Sequence, residues 1–278
     1  SWNLLKESLR LSYPLTPRLF LGVLNTQFDK YMIGLLVTIG GVGVYHISKR
    51  ISEISFTFMT ALQNVFNPQI YKRMFGQHEH RSESIGRYLT PFLYISILVA
   101  LCVALFSEEF ITILTPANYH GAAPILSILS MYYGFMFFGK ITGTQLIYSK
   151  KTHITTLTAF LSVGLNVGLN IFMIMKFGTI GAAWATLLTG LIINTISLLV
   201  AQHYYRIHYE WVKIGWIMGT FFTGTTIIVS MYLLGVPYYW SLYVKLISLS
   251  LFMALGMRYG IISKENLRAV RYALLPQK

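Results

Sequence analysis

Apolar residues run along the chain in stretches about twenty residues long, separated alternately by basic polar loops and by tight turns such as the one at 39–42. About 20 consecutive, mostly apolar residues are what an α-helix needs to cross the hydrocarbon core of a bilayer. Eight stretches meet that length and predict helices at about 12–37, 43–67, 89–107, 122–147, 154–175, 179–202, 214–234 and 240–261. The second is the least regular, because Lys49, Arg50 and Glu53 fall inside it. The pattern predicts an all-α polytopic membrane protein of about eight transmembrane helices.

Composition strengthens this reading. Of 278 residues, 55% are hydrophobic and 11% charged, against roughly 25% charged in ordinary soluble domains. Mean hydropathy is +0.58. These values exclude a soluble globular protein, a disordered chain and a disulfide scaffold. The formal net charge of +13 would suggest nucleic acid in a soluble protein, but in a membrane chain basic loops fix orientation and imply no nucleic-acid partner. With the N-terminus in the cytoplasm, the inner side gathers Lys6, Arg10 and Arg18, then Lys72, Arg73, Arg81 and Arg87, then Lys150, Lys151, Arg206 and Lys213, and the basic tail. Only Lys176 and Lys245 are then assigned to the outer side, with Glu108 and Glu109. Both termini are therefore expected in the cytoplasm. The chain begins at Ser1 with no signal peptide, and it reads as a piece of a longer protein.

Catalytic signatures are missing from the sequence. It contains no Gly-rich phosphate loop, HExxH or GxSxG. The acidic residues are scattered, and the adjacent pair Glu108–Glu109 does not make two carboxylates converging on one bond. A lone Cys102 forms no disulfide within the chain, and His78 with His80 lacks a third metal ligand. The expectation is a protein that is not an enzyme, with no metal and no cofactor.

Charge inside the spans carries more information. An ionisable group at the centre of a membrane helix costs about 2.5–3.5 kcal/mol on the insertion scale, so such groups normally face a polar interior. Asp29, Lys30, Lys49, Arg50 and Glu53 crowd the first two spans. At 1.5 Å per residue, Asp29 and Arg50 lie at one depth, roughly 12–14 Å from the hairpin turn. Asp29 and Glu53 are expected in structural ion pairs, with Asp29 approaching Lys49 or Arg50. The positive surplus of Arg50, Lys49 and Lys30, joined by Lys140 in the fourth span, is expected to line a cavity that takes an anionic ligand. Thr144 and Gln145 would extend the polar stripe of Lys140. In the fifth and sixth spans, Gly164, Gly168, Asn166 and Asn170, followed by Gly181 to Ala185, suggest close helix packing with amides bonding across helices.

Four stretches carry a family resemblance. They are Ser12 to Leu15 with Asp29 to Gly34, Val42 to Tyr45 and Lys49 to Ile51; Asn67 to Tyr71; Tyr119 to Leu129; and Asn166 to Asn170 with Lys176 to Gly178 and Gly181 to Thr186. In this order and spacing the chain resembles the C-terminal portion of polysaccharide flippases of the O-antigen, Wzx type, within the multidrug/oligosaccharidyl-lipid/polysaccharide exporter superfamily. The resemblance implies a C-terminal six-helix lobe over residues 1–203, with two additional helices and a short cytoplasmic tail over 204–278. It implies a missing N-terminal lobe or partner chain and a central cavity open to one side at a time. The implied location is the bacterial inner membrane. The implied function is translocation of undecaprenyl-pyrophosphate-linked oligosaccharide units for cell-surface polysaccharide or lipopolysaccharide synthesis, with H+ or Na+ as coupling ion. A drug/cation antiporter of the same superfamily and a membrane-embedded glycan polymerase or transferase are the alternatives. The excess of cations argues against the first, and the short predicted outer loops against the second.

Overall fold

A computed structural model describes residues 15–75 and 81–261, together with Trp2, Lys6, Ser8, Leu9 and Tyr13. His78, His80 and the basic tail beyond Ile261 lie outside the described residues. The described chain is all-α. Its helices are α1 (Leu15–Leu36), α2 (Ile39–Phe75), α3 (Arg81–Leu105), a short α4 (Ser107–Leu114), α5 (Ala123–Tyr148), α6 (Thr152–Phe177), α7 (Thr179–Tyr204), α8 (Trp211–Leu233) and α9 (Tyr238–Arg258), with a 3-10 helix at Ala117–Ala122. Six of them, α3 and α5 to α9, are long and apolar enough to cross a membrane. The protein is an all-α, multi-pass membrane protein.

The other two long helices, α1 and α2, are not in that apolar set among the described residues. Helix α2 is 37 residues long, well beyond the expected 43–67. Backbone hydrogen bonding continues past the apolar run, and Lys72 and Arg73 in the last turn suit the negative end of the helix dipole. A further difference is α4. Glu108 and Glu109 were expected in an outer loop, but they open a helical turn instead.

The chain divides into two compact units, residues 1–47 with 138–206, and residues 48–137 with 207–278. Helices α2 and α5 each contribute to both. In the first unit α6 packs on both α1 and α7. Gly178, at φ +62°, makes the tight turn between α6 and α7, a conformation that costs glycine nothing. Gly181 lets the two helices touch, since a Cβ there would strike the Met173 carbonyl. Gly164 and Gly168 have open space at the Cβ position. The close approach expected along that stripe is thus concentrated at Gly181.

In the second unit α3 forms the centre, packed against α8 and α9. Its buried face carries Leu89, Phe92, Leu93, Ile97 and Leu101. Phe92 meets Phe66 of α2 at 5.2 Å between ring centroids, and Phe66 meets Phe137 of α5 at 5.8 Å. Tyr94 stacks on Phe252 of α9 at 4.7 Å. Arg73, at the end of α2, lies 4.3 Å over the Tyr88 ring and donates to the Ser84 carbonyl at 2.9 Å. That clamp ties α2 to the start of α3.

Candidate functional site

Helices α1, α2, α6 and α7 bring a buried carboxylate and its hydrogen-bond donors together in the first unit. Asp29 is 2% exposed. Its Oδ2 accepts from the Tyr45 hydroxyl at 2.8 Å and from Thr186 Oγ1 at 3.3 Å. Its Oδ1 accepts from Asn170 Nδ2 at 2.8 Å. The same Asn170 nitrogen donates to Asn166 Oδ1 at 2.9 Å. Asn166 and Asn170 are one helical turn apart on α6, so both amides lie on one face. Tyr45, Asn166, Asn170 and Thr186 are all buried. Hydrogen bonds to a charged group are worth about 1.5–3 kcal/mol each, and a polar group this deeply buried needs such partners to offset its lost contact with water.

Asn170 Oδ1 is buried and finds no hydrogen-bond partner among the described residues. The site therefore combines one carboxylate with amide and hydroxyl oxygens, of which one is unsatisfied. Oxygen donors of this kind suit a hard cation, and the carboxylate can also hold a proton. Among the described residues, no three His, Cys, Asp or Glu side chains gather to hold a metal.

The expected cavity cations have different surroundings. Arg50 is exposed on α2, with its side chain 79% accessible, and its Nη1 lies 3.6 Å from Glu53 Oε2 one turn away. Lys49 beside it is buried. Lys30, next to Asp29 on α1, and Lys140 on α5 are both half-buried. Gln145, on the same helix as Lys140, is fully buried, and its Nε2 donates to the Tyr205 carbonyl at 2.8 Å, pinning the end of α7. Thr144 donates back to the Lys140 carbonyl.

Sequence reasoning missed one charged cluster. Lys245, assigned to the outer side, sits two turns into α9 and is fully buried. Its Nζ donates to Glu109 at 2.7 and 2.9 Å and to Glu108 at 3.4 Å. Glu109 also accepts from the Tyr238 hydroxyl at 2.9 Å. Adjacent carboxylates on a helix normally diverge, yet here one ammonium gathers both. Two carboxylates against one buried ammonium tie α4 to α9.

Comparison with known proteins bears on fold and function class. No family model matches the chain. The chain is 26% identical over 196 residues to a protein of Haloferax volcanii named "Probable low-salt glycan biosynthesis flippase", covering 70% of this chain and 42% of that one. It is 37% identical over 98 residues to an uncharacterized membrane protein of Methanocaldococcus jannaschii, covering 34% of this chain and 19% of that one. The chain thus spans less than half the length of these curated relatives. Among solved structures it resembles an outward-facing multidrug resistance MATE transporter of the MOP superfamily, with a TM-score of 0.51. It also resembles a MOP superfamily transporter from Pyrococcus furiosus, with a TM-score of 0.52. Each match has 15% identity and covers 96% of this chain and 67% of the other. The chain thus shares its fold with parts of these two solved structures, and one of its archaeal sequence relatives is named a probable glycan biosynthesis flippase.

Proposed function

We propose that this chain is part of a flippase that carries a lipid-linked oligosaccharide across the membrane, with a polyprenyl pyrophosphate such as undecaprenyl pyrophosphate as the lipid carrier. The observation that supports this reading is the exposed Arg50 guanidinium on the long helix α2, in a chain similar to a protein named a probable glycan biosynthesis flippase. A sugar–pyrophosphate head cannot cross hydrocarbon unaided, because its polar groups would lose their hydrogen bonds to water. A guanidinium replaces part of that hydration through two parallel hydrogen bonds to phosphate oxygens. Lys49 is proposed to add positive charge to the same task, and Lys30 and Lys140, in the other unit, are proposed as further cargo-binding cations. The remainder of the transporter, corresponding to an N-terminal lobe, completes the passage.

The Asp29 cluster is proposed as the coupling-ion site. Asp29, Asn166, Asn170 and Thr186 would hold Na+ through their oxygens, or Asp29 would take up H+. The bound ion supplies positive charge that neutralises the carboxylate and so changes how firmly α1, α6 and α7 are held together. Each residue's contribution is positional: Tyr45 and Thr186 orient one carboxylate oxygen, and Asn170 orients the other.

The test is export of lipid-linked glycan by the full-length protein in cells. Arg50→Ala should lower export without lowering protein abundance in the membrane. Arg50→Lys should rescue it only in part, since a point charge loses the fork geometry. If Arg50 served only to balance Glu53, the Arg50→Ala/Glu53→Ala double variant would recover full export. That recovery would sink the proposal.

A further inference from the structure

Tyr45 differs from the other members of the Asp29 cluster. Asn166 and Asn170 share α6 and Thr186 lies on α7, whereas Tyr45 comes from the second turn of α2. It is fully buried, and its hydroxyl donates to Asp29 Oδ2 at 2.8 Å. Thr186 Oγ1 donates to the same oxygen at 3.3 Å. A carboxylate oxygen offers about two lone pairs, so the two hydroxyls occupy Oδ2 between them. Asn170 Nδ2 donates to the other oxygen. Asn170 Oδ1, by contrast, is buried and has no hydrogen-bond partner among the described residues.

A cation seeks the same lone pairs that these donors occupy. Oδ2 can serve it only after a hydroxyl lets go. A buried donor left without an acceptor is costly, so release requires a second acceptor within reach. Tyr45 has one, because its oxygen lies 3.3 Å from Thr186 Oγ1, and either atom can be the donor in that contact. A hydroxyl bonded to a carboxylate is charge-assisted and stronger than one bonded to a neutral oxygen. The short Tyr45 bond therefore opposes filling of the site, and turning to Thr186 recovers only part of it. That bond also ties α2 to α1, and α2 runs on without a break to Arg50, five residues later.

We infer that Tyr45 is a positioning residue that links ion occupancy to α2. Its hydroxyl stands on Asp29 Oδ2 in the ion-free state and turns to Thr186 when the site fills, which loosens the start of α2 from α1. The inference rests on the coupling-ion reading above, taken for Na+. Phenylalanine fits the same buried space without the hydroxyl, so in Tyr45→Phe a lone pair of Oδ2 is open from the outset.

The experiment uses the full-length protein in nanodiscs, with Na+ varied at constant ionic strength. Na+ binding is read from the rise in melting temperature, and the state of α2 from backbone hydrogen exchange over residues 39–45. In the wild type, Na+ should raise the melting temperature and speed exchange in that segment. Tyr45→Phe should bind Na+ about fivefold more tightly, because no O–H has to be displaced, and its exchange over 39–45 should not respond to Na+. Tyr45→Met, which also lacks a hydroxyl, should behave in the same way. A purely structural role for Tyr45 would lower the melting temperature equally at every Na+ concentration, and that result overturns the inference. Weaker Na+ binding by Tyr45→Phe also overturns it, since the phenol oxygen would then be a ligand. Failure of both variants to fold does so too, because the hydroxyl would be a fixed tie. A wild type that shows no response to Na+ is a separate result: it defeats the Na+ reading of the site, and the inference with it.

Discussion

Replacing Asp29 separates the structural and functional parts of the buried polar cluster. Asp29→Ala removes the acceptor of three hydrogen bonds, from Tyr45, Thr186 and Asn170. Not all of that is lost. Tyr45 and Thr186 lie 3.3 Å apart and can still bond each other, and Asn170 keeps its bond to Asn166. One N–H of Asn170 is left unsatisfied, together with the space of a carboxylate, while the burial of a charge is relieved. An unsatisfied buried donor costs about 1–3 kcal/mol, and a small cavity adds to that, so the expected loss is about 2–4 kcal/mol. Asp29→Asn keeps the shape. Its oxygen can accept from Asn170, and its NH2 can donate to either hydroxyl, since hydroxyls also accept. The expected loss is about 1 kcal/mol or less. Thermal unfolding of the purified protein should therefore rank wild type, Asn and Ala, with Asn close to wild type. Transport, by contrast, should fail in both variants, because neither can bind a proton or a cation through a carboxylate. Equal destabilisation by Asn and Ala would show that the charge, not the hydrogen-bond geometry, holds the cluster. Full transport by Asp29→Asn would remove it as a coupling site.

Lys245→Met should lower the melting temperature by an amount equivalent to about 1–3 kcal/mol. It strands Glu108 and Glu109, which are partly accessible and so lose less than a fully buried pair would; a triple variant with Glu108→Gln and Glu109→Gln should regain most of it. Gly181→Ala should cost about 1–3 kcal/mol by forcing α6 and α7 apart at the Met173 carbonyl. Gly164→Ala, with open space around it, should be neutral or stabilising by up to about 1 kcal/mol in the same melting assay.

Hydrophobic run length was enough to read the apolar helices, because membrane thickness constrains it directly. Helices α5 to α9 fall within a few residues of the stretches at 122–147, 154–175, 179–202, 214–234 and 240–261. The full length of α2 was not legible, since hydropathy follows only the lipid-compatible part of a helix. Short α4 escaped for the same reason. Lys245 escaped because a single lysine near the start of an apolar run looks like an interfacial residue, and its partners are 136 and 137 residues away in sequence. Asn166 and Asn170 were legible as amides on one face that bond across helices. Their partner across the helices, Asp29, was not legible, since sequence spacing gives the depth of a side chain but not which helices meet there. The exposure of Arg50 and the burial of Lys49, neighbours in sequence, likewise depend on helix packing.

Flipping itself is the most direct test of the account. The full-length protein is reconstituted into vesicles carrying an undecaprenyl-pyrophosphate-linked oligosaccharide in the inner leaflet. The measurement is how fast the sugar becomes accessible to a glycosidase added outside. The account predicts transfer well above that of empty vesicles, dependent on an H+ or Na+ gradient and lost in Arg50→Ala and Asp29→Asn. Transfer no faster than in empty vesicles, with the gradient applied and the protein folded, would contradict it.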